Sequence, residues 1–348
     1  MADISSRKAD HLDLAIAGNV GFRTTTTLLE CVRLIHDALP ELAYDEVDLS
    51  TTVLGKRLRA PLLIAGMTGG TERAERINRE LATIAEERGY AFGLGSQRAL
   101  HRNKQALSTY AVRDVAPNAL VLGNLGVVQA AQMSSAEVLE LVQLVGADAL
   151  CVHLNPAMEL VQEEGDRDFR GGLAAIERLQ AELSLPVVVK ETGCGISGSV
   201  AARLKAVGVR HVDVSGAGGT SWVGVETERA SASRRALGET FWDWGIPTAA
   251  SVALCARHGF DTIFATGGIR GGLDVARAIA LGASLGGIAR FALQALESGG
   301  REGCLAFFDR IEAELRTAML LCGAANPVAL SQAPRLITGE LGEWLRQL

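Results

Sequence analysis

Two glycine-rich turns near the end of the sequence have the composition of a phosphate site. The stretch TGGIRGG (266–272) runs directly into a predicted helix, and GGIAR (286–290) ends the next predicted strand. Glycine lets backbone N–H groups approach a ligand closely, and a helix N-terminus favours an anion. One glycine pair alone indicates only a tight turn, whereas turns of this kind after two consecutive strands predict a site for one phosphate group.

Lys190 ends the apolar run PVVVK, where its side chain would project into a pocket. As a cation it would stabilise negative charge on a flavin or a substrate oxyanion. As an amine with a depressed pKa it would form a Schiff base, which would indicate an aldolase-type enzyme. A structural pairing with a carboxylate is the remaining interpretation, and the position of Lys190 favours a ligand-binding role over it.

The segment HLNPAMELVQEEGDRDF (153–169) concentrates polar and acidic groups after another predicted strand. One carboxylate such as Glu159 can hold Mg²⁺ when a substrate supplies phosphate oxygens. Glu163 and Asp166 are interpreted as part of a solvated face.

Near the N-terminus, Arg7, Lys8 and His11 form a compact cationic group. They would either clamp a diphosphate over the pocket or belong to an unstructured charged tail, and spacing alone does not decide between these.

Eight short apolar runs alternate with helical segments from residue 60 onward, which is typical of repeated βα units. Several of the helical segments end on a glycine suited to a left-handed C-cap. The pattern predicts a closed (β/α)8 TIM barrel rather than a doubly wound sheet, because the first turn, MTGGTE, is not a dinucleotide fingerprint. The predicted strands span 61–67, 91–95, 119–124, 149–155, 186–190, 211–215, 262–266 and 284–288.

Three parts lie outside the repeat: an N-terminal arm (1–59), an insertion after strand six (216–248) and a C-terminal helical tail (303–348). We expect one domain over 1–348, with the barrel at 60–302. The insertion holds three of the four Trp residues and is interpreted either as a lid over the active site or as a surface for oligomer contacts.

Composition excludes several function classes. The 348 residues carry 34 basic and 40 acidic side chains, a net charge of −6, and no basic stripe, so nucleic-acid binding is not expected. No apolar stretch reaches the ~20 residues of a membrane helix, and the first residues lack a signal-peptide core, so we expect a cytoplasmic enzyme. The six scattered cysteines are interpreted as reduced thiols, and a nucleophilic role for Cys194 is disfavoured.

The motifs together resemble the type 2 isopentenyl-diphosphate isomerases, which are FMN-dependent (β/α)8 barrels. They are RKADH at Arg7, AGMTGG at Ala65, GSQR at Gly95, GNLG at Gly123, HLNP at His153, EGDRDF at Glu164, VVKETGCGIS at Val188, VDVSGAGGTSW at Val212, WGIPTAAS at Trp244 and ATGGIRGGLDVARAIALGA at Ala265. They follow the family order over nearly the whole chain, so the set is far more specific than any one of them.

The resemblance implies a role for each matching residue. The FMN ring and ribityl chain would contact Gly66, Met67, Thr68, Ser96, Asn124, Lys190, Ser215 and Thr220, and the FMN phosphate Gly268, Ile269, Arg270, Ala289 and Arg290. The substrate diphosphate would be held by Arg7, Lys8, His11, Ser96, Gln97, Arg98, His153 and Asn155, with Mg²⁺ on Glu159.

The resemblance also implies a reaction. The family interconverts isopentenyl and dimethylallyl diphosphate without net redox change, yet uses FMN reduced by NAD(P)H, here expected to be NADPH. Its members form homotetramers and homo-octamers. Met158 is a departure, because the family has Gln at this catalytic position and a thioether donates no proton.

Met158 leaves three functions open. The first is the isomerase, and the second is another FMN enzyme on the same barrel, such as a hydroxy-acid oxidase or an enzyme of another prenyl-diphosphate reaction. The oxidase would need a catalytic His after a late strand, and none is evident in the sequence. The third function is a slow or non-catalytic flavoprotein that binds prenyl diphosphates, although the diphosphate motif and Glu159 argue against loss of all activity.

Overall fold

The chain folds as a closed parallel barrel with additional elements at its ends. The computed structural model describes residues 4–17 and 19–347, with side chains from Asp10 onward. In chain order the described strands are β1 Val32–Leu34, β2 Thr51–Val53, β3 Lys56–Leu58, β4 Leu62–Ile64, β5 Ala91–Gly93, β6 Leu120–Gly126, β7 Ala149–His153, β8 Val187–Lys190, β9 His211–Asp213, β10 Thr262–Ala265, β11 Leu285–Ile288 and β12 Arg335–Ile337.

The described α-helices follow the same order. They are α1 Ile4–Ala17, α2 Glu72–Arg88, α3 Arg98–Arg102, α4 Val127–Gln132, α5 Ser135–Leu144, α6 Pro156–Val161, α7 Gly172–Glu182, α8 Gly198–Ala206, α9 Trp222–Arg229, α10 Ala232–Phe241, α11 Thr248–Ala256, α12 Gly272–Ala280, α13 Arg290–Leu320, α14 Pro327–Gln332 and α15 Gly339–Gln347. Short 3₁₀ helices lie at Leu29–Cys31, Tyr44–Glu46 and Lys104–Thr109.

The barrel runs from β4 to β11 in chain order, and β11 closes it by pairing parallel to β4, with Gly286 opposite Leu62. The eight predicted strands and the TIM-barrel prediction are therefore confirmed. Seven of the observed strands are one to four residues shorter than predicted, because hydrogen-bonded pairing ends before the apolar run does, whereas β6 extends two residues further, to Gly126.

Alternation along each strand divides the core into two layers, as the pleat requires. Leu63 and Val188 point into the barrel, whereas their neighbours Leu62 and Val187 pack outward against the helices. Val53 and Leu58 of the β2–β3 hairpin join the inner cluster. Since this hairpin comes just before β4, it closes the N-terminal end of the barrel and leaves the C-terminal end as the open mouth.

Helix α2 shows how local sequence sets the element ends. The Thr71 hydroxyl accepts the amide of Ala74 at its N-terminus, and Gly89 ends the helix at φ +67°.

The insertion after β9 forms α9 and α10. The tail differs from the prediction: the helix there begins at Arg290 and is broken at Gly300, and β12 pairs antiparallel with β1 of the N-terminal arm. These strands have three residues each, too few for an alternation pattern to be visible in the sequence.

Candidate active site

The mouth of the barrel opens into one cavity, and most of the predicted site residues line it. The strand ends supply them in turn, since residues just beyond each parallel strand meet at one edge. The predicted residues that line the cavity are His11, Gly66, Met67, Thr68, Ser96, Arg98, Asn124, His153, Asn155, Met158, Glu159, Lys190, Ser215, Thr220, Gly268, Ile269, Ala289 and Arg290.

Lys190 is half-buried at the end of β8 and faces this cavity. Its Nζ donates to the backbone oxygen of Glu191 at 2.7 Å. This bond runs to a carbonyl and not to a carboxylate, so the cation remains available to a bound ligand.

Two buried acids stand behind Lys190. The Glu191 carboxylate accepts backbone N–H groups of Thr192 at 2.6 Å and Cys194 at 2.5 Å. Burial nevertheless raises the pKa of Glu191 to about 7. Burial also raises the pKa of Asp213, whose carboxylate accepts the Thr266 hydroxyl at 2.6 Å.

His153 is held by Asn124, whose Oδ1 lies 2.8 Å from its Nδ1. The Asn124 amide donates to the backbone oxygen of Leu94 at 3.0 Å. Burial, followed by the charges of Lys190 and Arg98, lowers the pKa of His153 to about 3. The imidazole is therefore neutral at pH 7 in the ligand-free cavity.

Glu159 is buried on α6, and two hydrogen bonds orient its carboxylate. One carboxylate oxygen accepts the Asn155 amide at 2.9 Å, and the other accepts the backbone N–H of Asp166 at 2.8 Å. Both contacts fix the carboxylate in the cavity wall. No group of three or more His, Cys, Asp or Glu that would hold a metal ion occurs among the described side chains, so Mg²⁺ on Glu159 would need oxygens from a ligand.

Arg98 is anchored at the same end of the cavity. Its guanidinium lies 3.6 Å from Asp166, and Gln129 donates to the same carboxylate at 3.0 Å. This places Asp166 in a hydrogen-bond network at the cavity, and not on the solvated face expected from the sequence.

The phosphate turns form a tightly packed backbone cradle. Gly267 and Gly268 have φ of +97° and +77°, a region that favours glycine, and a Cβ at Gly219 would clash with the backbone of Gly268. Beside them, Nε and one terminal nitrogen of Arg290 are buried without a hydrogen-bond partner. Burial, together with the nearby charge of Arg270, lowers the pKa of Arg290. A bound anion would satisfy these donors and offset the repulsion.

Two hydroxyl groups in the cavity wall are also unpartnered. Thr68 Oγ1 and Thr192 Oγ1 are buried and make no hydrogen bond within the described structure. Buried polar atoms normally have partners, so these atoms indicate a polar ligand.

The N-terminal arm and the insertion meet over the cavity. His11 of α1 lies 2.9 Å from the buried Glu226 of α9, and its ring contacts that of Trp222 edge-on at 5.4 Å. Arg229 donates to the same carboxylate at 3.0 Å. Helix α1 therefore lies at the mouth, which favours the clamp interpretation over a free charged tail.

Two predicted residues whose side chains are described do not line this cavity. Gln97 is buried beneath it, donating to Leu141 O at 2.8 Å and accepting from Asn124 N at 2.9 Å, so its amide supports the wall without facing a ligand. Arg270 is exposed and lines a neighbouring cavity. The side chains of Arg7 and Lys8 lie outside the described residues.

The structure adds cavity residues that the sequence analysis did not single out. Thr192 lies two residues past the end of β8, within reach of the rule used for the other strands. Of the others, Gln162 directly follows α6 and the rest lie on helices, where strand ends give no signal. The added residues include Gln129, Gln162, Thr192, Trp222, Phe291 and Leu293.

Two further expectations concern the cysteines and the possibility of a membrane-spanning helix. All six cysteines are free, as the sequence analysis expected. Within 4–17 and 19–347, every helix is too short or too polar to cross a membrane.

Comparison with solved structures agrees with this fold. A mandelate oxidase variant aligns with a TM-score of 0.64 at 20% identity, covering 95% of this chain and 99% of that chain. A lactate oxidase of Pediococcus acidilactici aligns with a TM-score of 0.67 at 16% identity, covering 97% and 95%. At these identities the similarity concerns the fold alone.

Sequence comparison is more specific. The model of the FMN-dependent dehydrogenase family matches residues 154–336. An isopentenyl-diphosphate delta-isomerase of Methanothermobacter thermautotrophicus is 44% identical over 345 residues, covering 99% of this chain and 96% of that protein. Another, from a Nostoc species, is 46% identical over 333 residues, covering 93% of each. The chain thus belongs to the type 2 isopentenyl-diphosphate delta-isomerase family, within the FMN-dependent dehydrogenase group.

Proposed function

We propose that this protein is an FMN-dependent isomerase that interconverts isopentenyl diphosphate and dimethylallyl diphosphate for isoprenoid biosynthesis. The observation that carries the proposal is the identity of 44% with a protein of that name over 99% of this chain. The cavity at the barrel mouth supports it, because polar groups suited to a flavin and to a diphosphate line the same space.

The residues of the cavity fit FMN. The unpartnered Thr68 hydroxyl and Arg290 guanidinium need polar ligands, and Gly267 and Gly268 of the phosphate turn line the same cavity as Arg290. In our proposal Gly268, Ile269, Arg270, Ala289 and Arg290 hold the phosphate. The remaining FMN contacts are Gly66, Met67, Thr68, Ser96, Asn124, Lys190, Ser215 and Thr220.

A second set of polar residues, distinct from those that hold the FMN phosphate, is proposed to hold the substrate diphosphate. Ser96, Arg98, His153 and Asn155 supply one side of this site, while His11, Arg7 and Lys8 on α1 supply the other. Gln97 acts indirectly, through the backbone of Asn124. Mg²⁺ bound to Glu159 would neutralise part of the diphosphate charge.

Each protein group has a physical task in this proposal. When bound in its reduced form, FMN supplies an electron-rich ring that takes part in the proton transfers. Lys190 provides a fixed positive charge beside the ring, since its Nζ is oriented by Glu191 O. Leu12, Ala15 and Leu293 give the cavity an apolar section that excludes water around the hydrocarbon.

Met158 supports a second candidate function. It lines the cavity on α6, one residue before Glu159. There it replaces the proton-carrying amide of the family Gln with a thioether, which is only a weak acceptor. A divergent member of the family, acting on another prenyl-diphosphate reaction or only binding such compounds, would retain FMN and the diphosphate clamp while losing this amide.

The proposal also covers the reductant, the cellular location and the oligomeric state of the enzyme. NADPH is the proposed reductant of FMN, the cytoplasm the proposed location, and 1–348 one domain. We propose a homotetramer or homo-octamer, supported by exposed apolar side chains on the arm and tail, including Leu39, Val328 and Leu336. The net charge of −6 argues against nucleic acid as a partner.

One anaerobic experiment tests the function. The FMN-loaded protein is reduced, Mg²⁺ and isopentenyl diphosphate are added in D₂O, and double-bond position and deuterium uptake are followed by NMR. Conversion to dimethylallyl diphosphate is the expected result. Substrate that binds but keeps its double bond in place would overturn the isomerase and favour the divergent function.

A further inference from the structure

A short segment of the N-terminal arm forms one wall of a second cavity beside the phosphate turns. The cavity has a volume of about 250 Å³ and is lined on one side by residues 21–26 and on the other by Gly218, Arg270 and Arg290. It shares Gly219, Gly268, Arg290 and Phe291 with the main cavity, so the two spaces meet at the proposed phosphate position.

Asp243, which follows α10 in the insertion, is the carboxylate that binds the backbone of this segment. Its Oδ1 accepts the backbone N–H of Arg23 at 2.7 Å. Its Oδ2 accepts both the backbone N–H of Thr24, at 3.2 Å, and the Thr24 hydroxyl, at 2.9 Å. The backbone oxygen of Asp243 also accepts the Thr25 hydroxyl at 3.2 Å. Hydrogen bonds to an ionised acceptor are stronger than neutral ones, so this contact is the main tether.

The neighbouring Trp242 completes the attachment. Its indole N–H donates to Gly21 O at 2.9 Å, and the Arg23 guanidinium lies 3.7 Å from its ring centre. Arg23 also pairs with the exposed Glu239 at 2.6 Å. The charge of Arg23 is thereby compensated from outside the cavity, and the positive charge that faces a ligand comes from Arg270 and Arg290.

On its other side the segment, with the adjoining Thr27, packs against Gly218 and against Gly268 of the phosphate turn. A Cβ at Gly218 would clash with the backbone of Thr27, and one at Gly268 with the Thr27 side chain. Gly218 and Gly268 both have positive φ, +109° and +77°, which permits this approach. Because the backbone of Thr26 and Thr27 touches Gly218, and the backbone of Gly218 touches Gly268, a shift of residues 21–26 changes the shape of the phosphate pocket.

We propose that Asp243 is a positioning residue that holds residues 21–26 as the outer wall of the FMN phosphate pocket. Asp243, in the insertion after the sixth barrel strand, therefore controls how tightly the cofactor is retained, without touching it. This inference rests on the proposed function, which places the FMN phosphate at Arg270 and Arg290.

The test compares two flavins that differ only in the phosphate. Full-length protein is loaded with FMN or with riboflavin and diluted, and the rise of free-flavin fluorescence gives each release rate. Asp243→Ala is expected to release FMN at least about tenfold faster than wild type, since charge-assisted hydrogen bonds are lost. Riboflavin release should change less than about twofold. The control Glu239→Gln, which removes only an exposed partner of Arg23, should leave both rates within about twofold.

Each alternative result overturns the inference in a recognisable way. Equal acceleration of both flavins in Asp243→Ala would mean that Asp243 is only structural, and unchanged rates would mean that it does not hold the wall. The phosphate placement has its own test. If wild type releases riboflavin as slowly as FMN, and if Arg290→Met leaves the FMN release rate unchanged, the phosphate does not bind at Arg290. That result would overturn the phosphate placement and with it this inference. If Asp243→Ala does not fold, Asp243→Asn, which keeps one acceptor oxygen, should accelerate FMN release alone to a smaller extent.

Discussion

The Nδ1 atom of His153 lies 2.8 Å from Oδ1 of Asn124, and this contact determines which nitrogen of the neutral imidazole carries the hydrogen. The Asn124 amide nitrogen donates to Leu94 O, so its oxygen faces His153 and only accepts. Nδ1 must therefore carry the hydrogen, and in the neutral ring Nε2 is left as an acceptor. Burial and the neighbouring cations Lys190 and Arg98 hold the pKa of His153 at about 3, so this neutral form persists at pH 7.

The first prediction concerns this histidine. A bound diphosphate would offset the charges of Lys190 and Arg98 and favour the protonated ring, in which Nε2–H donates to an anionic oxygen. His153→Ala should therefore raise the KM for isopentenyl diphosphate by about tenfold or more, because a hydrogen bond to a charged group contributes roughly 1.5–3 kcal/mol. FMN affinity should change less than about twofold. Steady-state kinetics and flavin titration measure the two effects. His258→Ala, on a histidine that does not line the cavity, is the control, and an unchanged KM in His153→Ala would remove His153 from the diphosphate site.

The second prediction concerns the residue that departs from the family. Met158→Gln restores a side chain that donates and accepts hydrogen bonds, and it should raise kcat at least about tenfold, which is below the roughly 10²–10⁴-fold effect of a full general acid or base. Leu160→Gln introduces the same amide on the same helix at a position that is 43% exposed, and it should leave kcat unchanged. The NMR assay in D₂O measures both variants. Equal rates for wild type and Met158→Gln would show that the reaction does not need this amide.

The barrel strands were predictable because their signal is local. In PVVVK, for example, consecutive β-branched residues can be buried on both faces of the sheet, and the structure buries Val187, Val188 and Val189 completely. The pairing of Val32–Leu34 with Arg335–Ile337 joins residues about three hundred positions apart. No local pattern in three-residue strands specifies such a partner.

The sequence predicts which residues follow the barrel strands and so lie near the candidate site. It does not predict in which direction their side chains point. Gln97 and Arg98 are adjacent after the same strand, yet Arg98 lines the cavity and Gln97 turns beneath it to bond Leu141 O. The local turn decides this, and the amino-acid type carries no information about it. The role of Asp243 depends on two loops that are distant in sequence and meet only in the fold.

The third prediction concerns the metal. Glu159→Gln removes the charge while keeping an acceptor for the Asp166 amide, so Mg²⁺ binding should weaken while the loop remains in place. The Mg²⁺ concentration that gives half-maximal isomerisation should rise at least about tenfold, with FMN affinity unchanged. Glu163→Gln alters an exposed acid on the same stretch and should have no such effect. Equal Mg²⁺ dependence in wild type and Glu159→Gln would exclude Glu159 as the metal ligand.

The last prediction follows from the buried Glu191. Its pKa of about 7 in the folded protein lies above its ordinary value of 4.5. Between these pH values the unfolded chain has lost a proton that the folded chain still holds, so folding stability should fall as the pH rises from about 4.5 to 7. The loss amounts to about 3 kcal/mol and is complete above pH 7.

Glu191→Gln tests this contribution, because it keeps the acceptor oxygen for Thr192 and Cys194 but does not titrate. Urea unfolding of flavin-free protein at pH 5 and pH 8 gives the free energies. The decrease in stability between these pH values should be smaller in Glu191→Gln than in wild type, whereas the exposed control Glu164→Gln should behave as wild type. Identical pH dependence in wild type and Glu191→Gln would show that Glu191 already ionises at low pH, with the backbone N–H groups outweighing its burial.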